Sequence, residues 1–245
     1  MSRIPLQDLY TKHVHLCDEM IQGEDFQGNL FTALDGIHPI MQSVIAELGA
    51  GMGRITLQLD PYSRAIHAFD LTPAMLARAY QKIKMFKQRN WFLGVADSRN
   101  LHLPSAFADI AVEGWSIAQI MAWHMDTWQT EVDQVLDEMM RIVRPGGTVV
   151  VIENLGTGET TPCPPERFIP LYEHFEQKWG RSMTWIRTDL RFPSGLDALR
   201  TSGAVFGEVI IERGMDGPDV FVIPECTGIW WRTVATPQKG NSCVP

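Results

Sequence analysis

The stretch Val44-Ile45-Ala46-Glu47-Leu48-Gly49-Ala50-Gly51-Met52-Gly53-Arg54-Ile55-Thr56 decides the fold of this chain. A short apolar, partly β-branched run precedes three glycines at every second position, and helix-compatible residues follow. This order predicts a strand, a tight turn and the start of a helix. A turn of this kind brings backbone N–H groups against a nucleotide-like ligand, and glycine permits the positive φ angles that it needs.

The spacing of the glycines distinguishes between ligand classes. A dinucleotide fingerprint requires Gly-x-Gly-x-x-Gly; Gly49 and Gly51 fit it, but Arg54 stands where the third glycine belongs. This disfavours a nicotinamide-dependent oxidoreductase. A phosphate-binding loop of the Walker type is excluded because no Gly-Lys-Ser/Thr follows. A turn with a purely structural role stays open at this point.

Composition sets further bounds on function. The chain has 245 residues and a net charge of -8, which argues against nonspecific nucleic-acid binding. Its four cysteines are scattered without paired spacing, so we expect neither a metal site nor a disulfide framework. No apolar run approaches the roughly 18 residues of a membrane span. We therefore expect a cytoplasmic protein that is not associated with a membrane.

Short apolar segments alternate with helical patterns along most of the chain. The predicted strands after the opening one cover residues 65–70, 91–97, 109–113 and 148–153, and the predicted helices cover residues 6–21, 31–40, 73–87, 126–143 and 171–179, with a further helix of about eight residues after Ser194. This alternation predicts a parallel sheet covered on both faces. Residues 206–212 and residues 220–223, the latter with a continuation to Thr233, read as a final antiparallel pair of strands.

Acidic residues follow three successive predicted strands. Asp70, Asp97 and Glu113 each stand at a strand end. In an open α/β sheet the ligand lies beyond the carboxyl ends of the strands. We therefore expect these acids and the glycine turn to converge on one crevice, with Asp70 placed to accept hydrogen bonds from both hydroxyls of a ribose.

These motifs together resemble the class I S-adenosylmethionine (SAM)-dependent methyltransferases, specifically a small-molecule group similar to type 11 methyltransferases and related to the quinone C-methyltransferases. The resemblance covers residues 43–155 well and 28–235 more loosely. The matching words are Glu47-Leu48-Gly49-Ala50-Gly51-Met52-Gly53, Phe69-Asp70-Leu71-Thr72-Pro73-Ala74-Met75-Leu76, Ala96-Asp97-Ser98-Arg99-Asn100-Leu101 and Arg144-Pro145-Gly146-Gly147.

The resemblance implies an α/β, Rossmann-like, doubly wound sheet of seven strands, mostly parallel with one antiparallel strand near the C-terminus. It implies one domain over residues 1–245, with an N-terminal helical lid at 1–40 and a substrate-side insertion at 154–193. It also implies SAM as the cofactor, with S-adenosylhomocysteine (SAH) as its product. The cofactor-binding residues that it implies are Glu47, Gly49, Ala50, Gly51, Gly53, Asp70, Leu71, Met75, Asp97, Ser98, Glu113 and Gly114.

The methyl acceptor is less well defined by the sequence. Trp115, directly after the acidic end of the fourth strand, is the best candidate for a wall of the acceptor pocket, because such pockets are mainly apolar and aromatic. A general base is needed only if the acceptor must lose a proton. The candidates for that role are His124, Glu153, Tyr172 and His174.

The hypothesis that follows is in-line transfer of the SAM methyl group to a small-molecule acceptor. The alternative from another class is a non-catalytic SAM-binding or scaffold protein that keeps the fold. The glycine motif is complete, which favours the enzyme. Glu153 matches an acid of the quinone enzymes, but the residues after it, Asn154-Leu155-Gly156-Thr157-Gly158, differ from theirs. The acceptor, the methylated atom and the oligomeric state are left open.

Overall fold

A computed structural model describes residues 13–85, 90–180, 182–217 and 219–236. Its strands are β1 (Val44–Leu48), β2 (Ala65–Asp70), β3 (Trp91–Val95), β4 (Ala108–Gly114), β5 (Val143–Thr157), β6 (Met183–Arg187), β7 (Leu190–Phe192), β8 (Met215–Gly217), β9 (Val220–Ile223) and β10 (Glu225–Thr233). Its α-helices are α1 (Val14–Gly23), α2 (Asn29–Ile37), α3 (Arg54–Leu59), α4 (Pro73–Ile83), α5 (Ile117–Trp123), α6 (Trp128–Ile142), α7 (Ile169–Trp179) and α8 (Gly195–Phe206).

Seven strands form the main sheet in the order β3-β2-β1-β4-β5-β10-β6. Strands β3, β2, β1, β4 and β5 pair in parallel, while β10 runs antiparallel to both of its neighbours. The prediction of a mostly parallel seven-stranded sheet with one antiparallel strand near the C-terminus is therefore confirmed. The order reverses between β1 and β4, which places a topological switch point beside the glycine turn.

Side chains of the central strands alternate between two hydrophobic layers. Ala46 and Leu48 of β1 belong to the layer that contains α6 and α7, whereas Ile45 belongs to the layer that contains α2 and α3. All five residues of β1 are buried. A strand covered on both faces has no polar side, which is why the opening run is almost continuously apolar.

Two helix starts follow the chemistry of their sequences. Thr72 is the N-cap of α4 and Pro73 its first residue, as predicted, and Pro fits there because the N–H that it lacks would have no partner inside the helix. Ser194 caps α8 and its hydroxyl accepts a hydrogen bond from the Asp197 backbone N–H. Helix α8 has twelve residues, where about eight were predicted.

A second, three-stranded antiparallel sheet has the order β7-β9-β8. Helices α1 and α8 pack against it, and Met20 and Phe206 contact buried clusters on both sides of that junction. We call α1, α8 and this small sheet the cap. We call the seven-stranded sheet with its other helices the main-sheet unit. The apolar side of the cap also contacts Met52 and Met75 of this unit.

The predicted strand at 206–212 is wrong. Phe206 ends α8, and a 3-10 helix follows at Glu208–Arg213. Short apolar runs such as Val209-Ile210-Ile211 do not distinguish helix from strand by periodicity. Strand β9 was predicted correctly, but its partners are β7 and β8, not residues 206–212. Of the predicted helix at 6–21, residues 6–12 lie outside the described residues.

Residues 154–193, predicted as an insertion, contribute the end of β5, helix α7, strand β6 and strand β7. Helix α1 and α2 occupy the described part of the predicted lid at 1–40. Among the described residues, no helix is both long and apolar enough to cross a membrane.

Candidate active site

A cavity of about 520 Å³ lies beyond the carboxyl ends of β1, β2, β3 and β4. Its size is within the range of small-ligand pockets. Twelve of the residues selected from the sequence line it: Glu47, Gly49, Ala50, Gly51, Asp70, Leu71, Met75, Asp97, Ser98, Gly114, Trp115 and His124. The prediction that the glycine turn and successive strand ends meet at one crevice therefore agrees with the geometry, apart from the residues discussed below.

The glycine turn forms one wall of the cavity. Gly49, Gly51 and Gly53 all have positive φ, at +64°, +52° and +79°. A Cβ at Gly49 would overlap the Ser116 hydroxyl, whereas a Cβ at Gly51 would meet only the Gly49 carbonyl oxygen, at 4.0 Å. Gly49 is thus fixed by packing, and Gly51 leaves the ligand side of the turn open.

Asp70 ties the turn to the end of β2. Its Oδ2 accepts a 2.8 Å hydrogen bond from the Gly51 N–H and its Oδ1 accepts a 2.7 Å bond from the Thr72 N–H. A carboxylate has about four lone-pair sites, so both oxygens can accept further bonds. The side chain is therefore held in place while it faces the cavity.

Asp97, beyond β3, is held by an arginine. The Arg99 side chain donates from Nε and Nη2 to the two Asp97 oxygens, at 2.9 and 2.5 Å, and also pairs with Glu131. These bonds from Arg99 lower the pKa of Asp97. His124 lies close enough to Asp97 to lower that pKa further, which places His124 at the β3 side of the cavity.

Glu47 is buried at the floor of the cavity, only 2% exposed. The Thr56 hydroxyl donates a hydrogen bond to its Oε2. Burial raises the pKa of Glu47 to about 8, with a contribution from the negative charge of Asp70. The carboxyl is thus mostly protonated at neutral pH, although a cation brought against it would favour the ionised form.

Two predicted acids do not reach the cavity. The Glu113 carboxyl turns toward α5 and accepts hydrogen bonds from the Ser116 hydroxyl and, at 3.1 Å, the Ser116 N–H. Glu153 accepts a 2.8 Å bond from the Ala118 N–H. Burial raises the pKa of both acids, to about 8 for Glu153. The pair anchors the start of α5, behind the cavity wall.

Three other selected residues also lie away from the cavity. Gly53 packs on Ala79, whose Cβ would lie 3.2 Å from a Cβ at Gly53. The Tyr172 hydroxyl donates to the Asn154 carbonyl oxygen at 2.6 Å, and its ring stacks on Trp230. His174 pairs with Asp133 at 2.9 Å on the outer side of the helical layer. Of the four general-base candidates, only His124 lines the cavity.

Trp115 forms the wall next to Gly114 and is held in an unusual conformation. Its φ is +57°, a value uncommon for a large side chain. The Arg54 guanidinium carbon lies 3.3 Å from the centroid of its ring. Arg54 itself forms an ion pair with Glu24, the residue after α1. Trp115 is therefore in contact with a charged group that connects it to the cap.

Ten cavity residues were not selected from the sequence: Ile21, Met52, Arg54, Ile55, Thr72, Arg99, Ser116, Gln119, Ile120 and Trp123. Four of them, at positions 116, 119, 120 and 123, are spaced by three, one and three. They therefore lie on one face of α5 and of the residue that precedes it. This spacing was available in the sequence. Ile21 comes from the cap, and only tertiary structure brings it to the cavity.

Residues 45–147 match a family model described as a methyltransferase domain. This range contains β1 from its second residue, β2, β3, β4 and the start of β5, and every described cavity residue except Ile21. The match covers less than half of the chain, and together with the sheet order it indicates a methyltransferase domain over these residues.

Individual relatives are more distant. A phosphatidylethanolamine N-methyltransferase of Cereibacter sphaeroides is 26% identical over 131 residues, which are 53% of this chain and 60% of that protein. The chain thus matches less than two thirds of the length of this curated relative. The relation to quinone C-methyltransferases stays a prediction.

Solved structures share the fold at low identity. A putative type II methyltransferase from Anaeromyxobacter dehalogenans is 17% identical, with a TM-score of 0.54 over 86% of this chain and 97% of that one. A Haemonchus contortus phosphoethanolamine N-methyltransferase, solved with phosphomonomethylethanolamine and SAH, is 17% identical, with a TM-score of 0.55 over 91% of this chain and 58% of that one. At this identity the likeness concerns the fold alone.

Proposed function

We propose that the cavity binds SAM and that the chain transfers its methyl group to a small-molecule acceptor. The observation that carries the proposal is the convergence of the glycine turn, Asp70, Asp97 and the Gly114–Trp115 segment on one cavity. Four strand ends supply these groups, in the arrangement in which an open α/β sheet binds its ligand.

The residues present fit a cofactor with a positive centre and no phosphate. Arg99 is paired with Asp97 and Arg54 with Glu24, so neither cavity arginine carries an uncompensated charge. Asp70 faces the cavity without a cationic partner among the described residues. A pyrophosphate would be repelled by such a wall, whereas a sulfonium and an ammonium would be tolerated.

Each part of the cavity has an assigned task in this proposal. Asp70 binds the ribose hydroxyls, while Leu71 and Met75 flank the adenine and Asp97 with Ser98 meets its edge. Glu47 and the turn from Gly49 to Gly51 hold the methionine part. Gly114 and Trp115 then border the methyl group. This distribution supports Trp115 as a wall of the acceptor site.

Positioning accounts for the chemistry that the chain must supply. SAM carries a methyl group already activated by its sulfonium. The cavity residues hold the two reactants in line, and orientation of this kind can lower the activation barrier by about 7–11 kcal/mol. His124 is the general-base candidate that lines the cavity, but it lies on the side of Asp97, so the proposal assigns it no proton transfer.

Binding of SAH to the purified chain, followed by calorimetry, tests the cofactor assignment. We expect Asp70→Ala to weaken SAH binding about 100-fold, because two hydrogen bonds to a charged group are worth about 1.5 kcal/mol or more each. Asp137→Ala, on an exposed aspartate of α6, is the matched control and should leave the affinity unchanged. Equal affinities for Asp70→Ala and the unmodified chain would remove the ribose assignment.

Transfer of a labelled methyl group from SAM to a panel of acceptors tests the activity. The names of the relatives suggest that the panel should include phosphatidylethanolamine and phosphoethanolamine beside phenols, thiols and quinols. Labelled product supports the proposal. SAH binding without turnover on the whole panel would favour the alternative of a SAM-binding protein without catalysis.

A further inference from the structure

Arg54 occupies a position that connects three parts of the molecule. It is the first residue of α3, directly after the glycine turn, and it lines the cavity. Its guanidinium lies over the Trp115 ring, with the guanidinium carbon 3.3 Å from the ring centroid. The same group pairs with Glu24, which follows the last residue of α1 in the cap.

The Arg54–Glu24 pair is buried, unlike the other ion pairs of the cap. The side chains of Arg54 and Glu24 are 13% and 4% exposed, whereas those of Lys82 and Asp18, which join α4 to α1, are 22% and 15% exposed. Removing one partner of a buried pair is costly because it leaves a desolvated charge. The Arg54–Glu24 contact is therefore the stronger constraint on where the end of α1 lies.

Backbone contacts join Glu24 and its neighbours to the small sheet and the residue before it. Glu24 forms a bridge with Leu190 of the small sheet, and the next residue, Asp25, donates its N–H to the Asp189 carbonyl oxygen at 3.0 Å. A Cβ at Gly23 would overlap the Arg191 backbone. The end of α1 is thus joined to β7, so a change in the Arg54–Glu24 contact affects both α1 and the small sheet.

Two further acids, Glu225 and Asp25, lie near the Arg54–Glu24 contact. Glu225 lies against Glu24, and its Oε2 accepts hydrogen bonds from Asn154 Nδ2 at 2.9 Å and from the Thr157 hydroxyl at 2.7 Å. Burial raises the pKa of Glu24, and Arg54 opposes that rise. Arg54 interacts favourably with Glu24, Glu225 and Asp25, while Arg187 is paired with Asp189.

We propose that Arg54 is a positioning residue that fixes the cap and Trp115 relative to each other, through its ion pair with Glu24 and its stacking on the Trp115 ring. The position of the cap beside the cavity and the position of Trp115 in the cavity wall then depend on each other. The role of Trp115 as acceptor wall rests on the proposed function, but the mechanical connection does not.

Hydrogen–deuterium exchange of the full chain, followed by mass spectrometry, tests the connection. Residues 14–26 report the cap, and residues 113–120 report the wall, where the Trp115 N–H donates to the Ile152 carbonyl oxygen at 2.8 Å. In Arg54→Met, both segments should exchange at least about fivefold faster than in the unmodified chain. In the matched control Lys82→Met, which loses a second ion pair between the described parts of the cap and the main-sheet unit, only residues 14–26 should accelerate.

A conservative variant separates the two contacts of Arg54. Lys in Arg54→Lys keeps the charge for Glu24 but not the planar surface that stacks on an indole. We expect Arg54→Lys to restore slow exchange in residues 14–26 and to leave residues 113–120 fast. If Arg54→Met does not fold, Glu24→Gln replaces it, with the same pattern expected at smaller amplitude.

Two outcomes would overturn the proposal. One is wild-type exchange at 113–120 in both Arg54→Met and Arg54→Lys. The other is acceleration of both segments in Lys82→Met as well, which would give Arg54 no special part. All measurements are made without ligand and repeated with SAH. Failure of SAH to bind any variant would count against the proposed function alone, because the comparison without ligand still decides the role of Arg54.

Discussion

At the scale of single residues, the cavity contains carboxyls in two kinds of environment. Asp70 accepts two backbone hydrogen bonds beside the open cavity, while Glu47 is buried and accepts a bond from Thr56. Burial disfavours the charged form of an acid. The two groups therefore contribute differently to stability as the pH changes.

Glu47 should make the protein less stable as the pH rises. Its pKa is about 8 in the folded chain and near 4.5 in the unfolded chain, so between these values the folded chain holds a proton that the unfolded chain has lost. The free energy of unfolding then falls by up to about 1.4 kcal/mol per pH unit from this group. Glu47→Gln should remove that part of the slope.

Urea unfolding at pH 5.5, 6.5 and 7.5 measures the slope. Glu173→Gln, which changes an exposed glutamate of α7, is the control and should behave as the unmodified chain. Other buried acids contribute to the slope in all three proteins, so the difference between proteins isolates Glu47. Parallel slopes for Glu47→Gln and the unmodified chain would contradict the assignment of a protonated Glu47.

At the scale of elements, β1, the glycine turn and α3 form one unit whose shape depends on Gly49. Its φ of +64° and the contact that a Cβ would make with Ser116 act together. The turn is therefore packed against the start of α5. The glycine turn and the loop between β4 and α5, which are in contact, together form this part of the cavity wall.

Gly49→Ala should destabilise the protein by about 2–4 kcal/mol, the sum of backbone strain at positive φ and overpacking against Ser116. The matched control is Gly36→Ala in α2, where a Cβ would meet nothing within 4 Å. There the better helix propensity of Ala should stabilise by up to about 1 kcal/mol. The midpoints of thermal and urea unfolding measure both changes; a neutral Gly49→Ala would show that the turn adapts.

Long, regular elements of this fold could be predicted from the sequence. The opening strand and the strands before Asp70 and Asp97 have apolar runs of the right length, and Thr72-Pro73 marks the start of α4 with specific chemistry. The small sheet could not be predicted, because β7 and β8 have three residues each and little pattern. Tertiary pairing with β9 alone defines them.

The candidate site was predictable where it depends on strand ends. Acids there converge by topology, and Asp70 and Asp97 do so. Glu113 does not. Successive side chains of a strand point to opposite faces of the sheet, and the Glu113 carboxyl turns to the start of α5. In the sequence, Arg54 stands out only as a departure from the dinucleotide spacing; its contact with Glu24 joins residues that no local pattern connects.

At the scale of the whole molecule, the cap and the main-sheet unit share walls of the cavity. Met52 and Met75 of the main-sheet unit pack in one buried cluster with Leu16 and Cys17 of α1 and with Val205 of α8. Loss of the cap would expose this cluster to water. We therefore expect the two units to unfold together, in one cooperative transition.

Ligand binding should shift that single transition as a whole. At an SAH concentration 100 times its Kd, linkage predicts a stabilisation of about 2.7 kcal/mol, or about 5–10 °C in Tm for a chain of this size. Differential scanning calorimetry with and without SAH measures the shift, and Asp70→Ala at the same SAH concentration should lose most of it. Two transitions, of which SAH moves only one, would mean that the cap folds independently, and the shared methionine cluster would then contribute little to cooperativity. One transition that moves as a unit would instead mean that the two units unfold together, as expected from the buried cluster that Met52 and Met75 share with the cap.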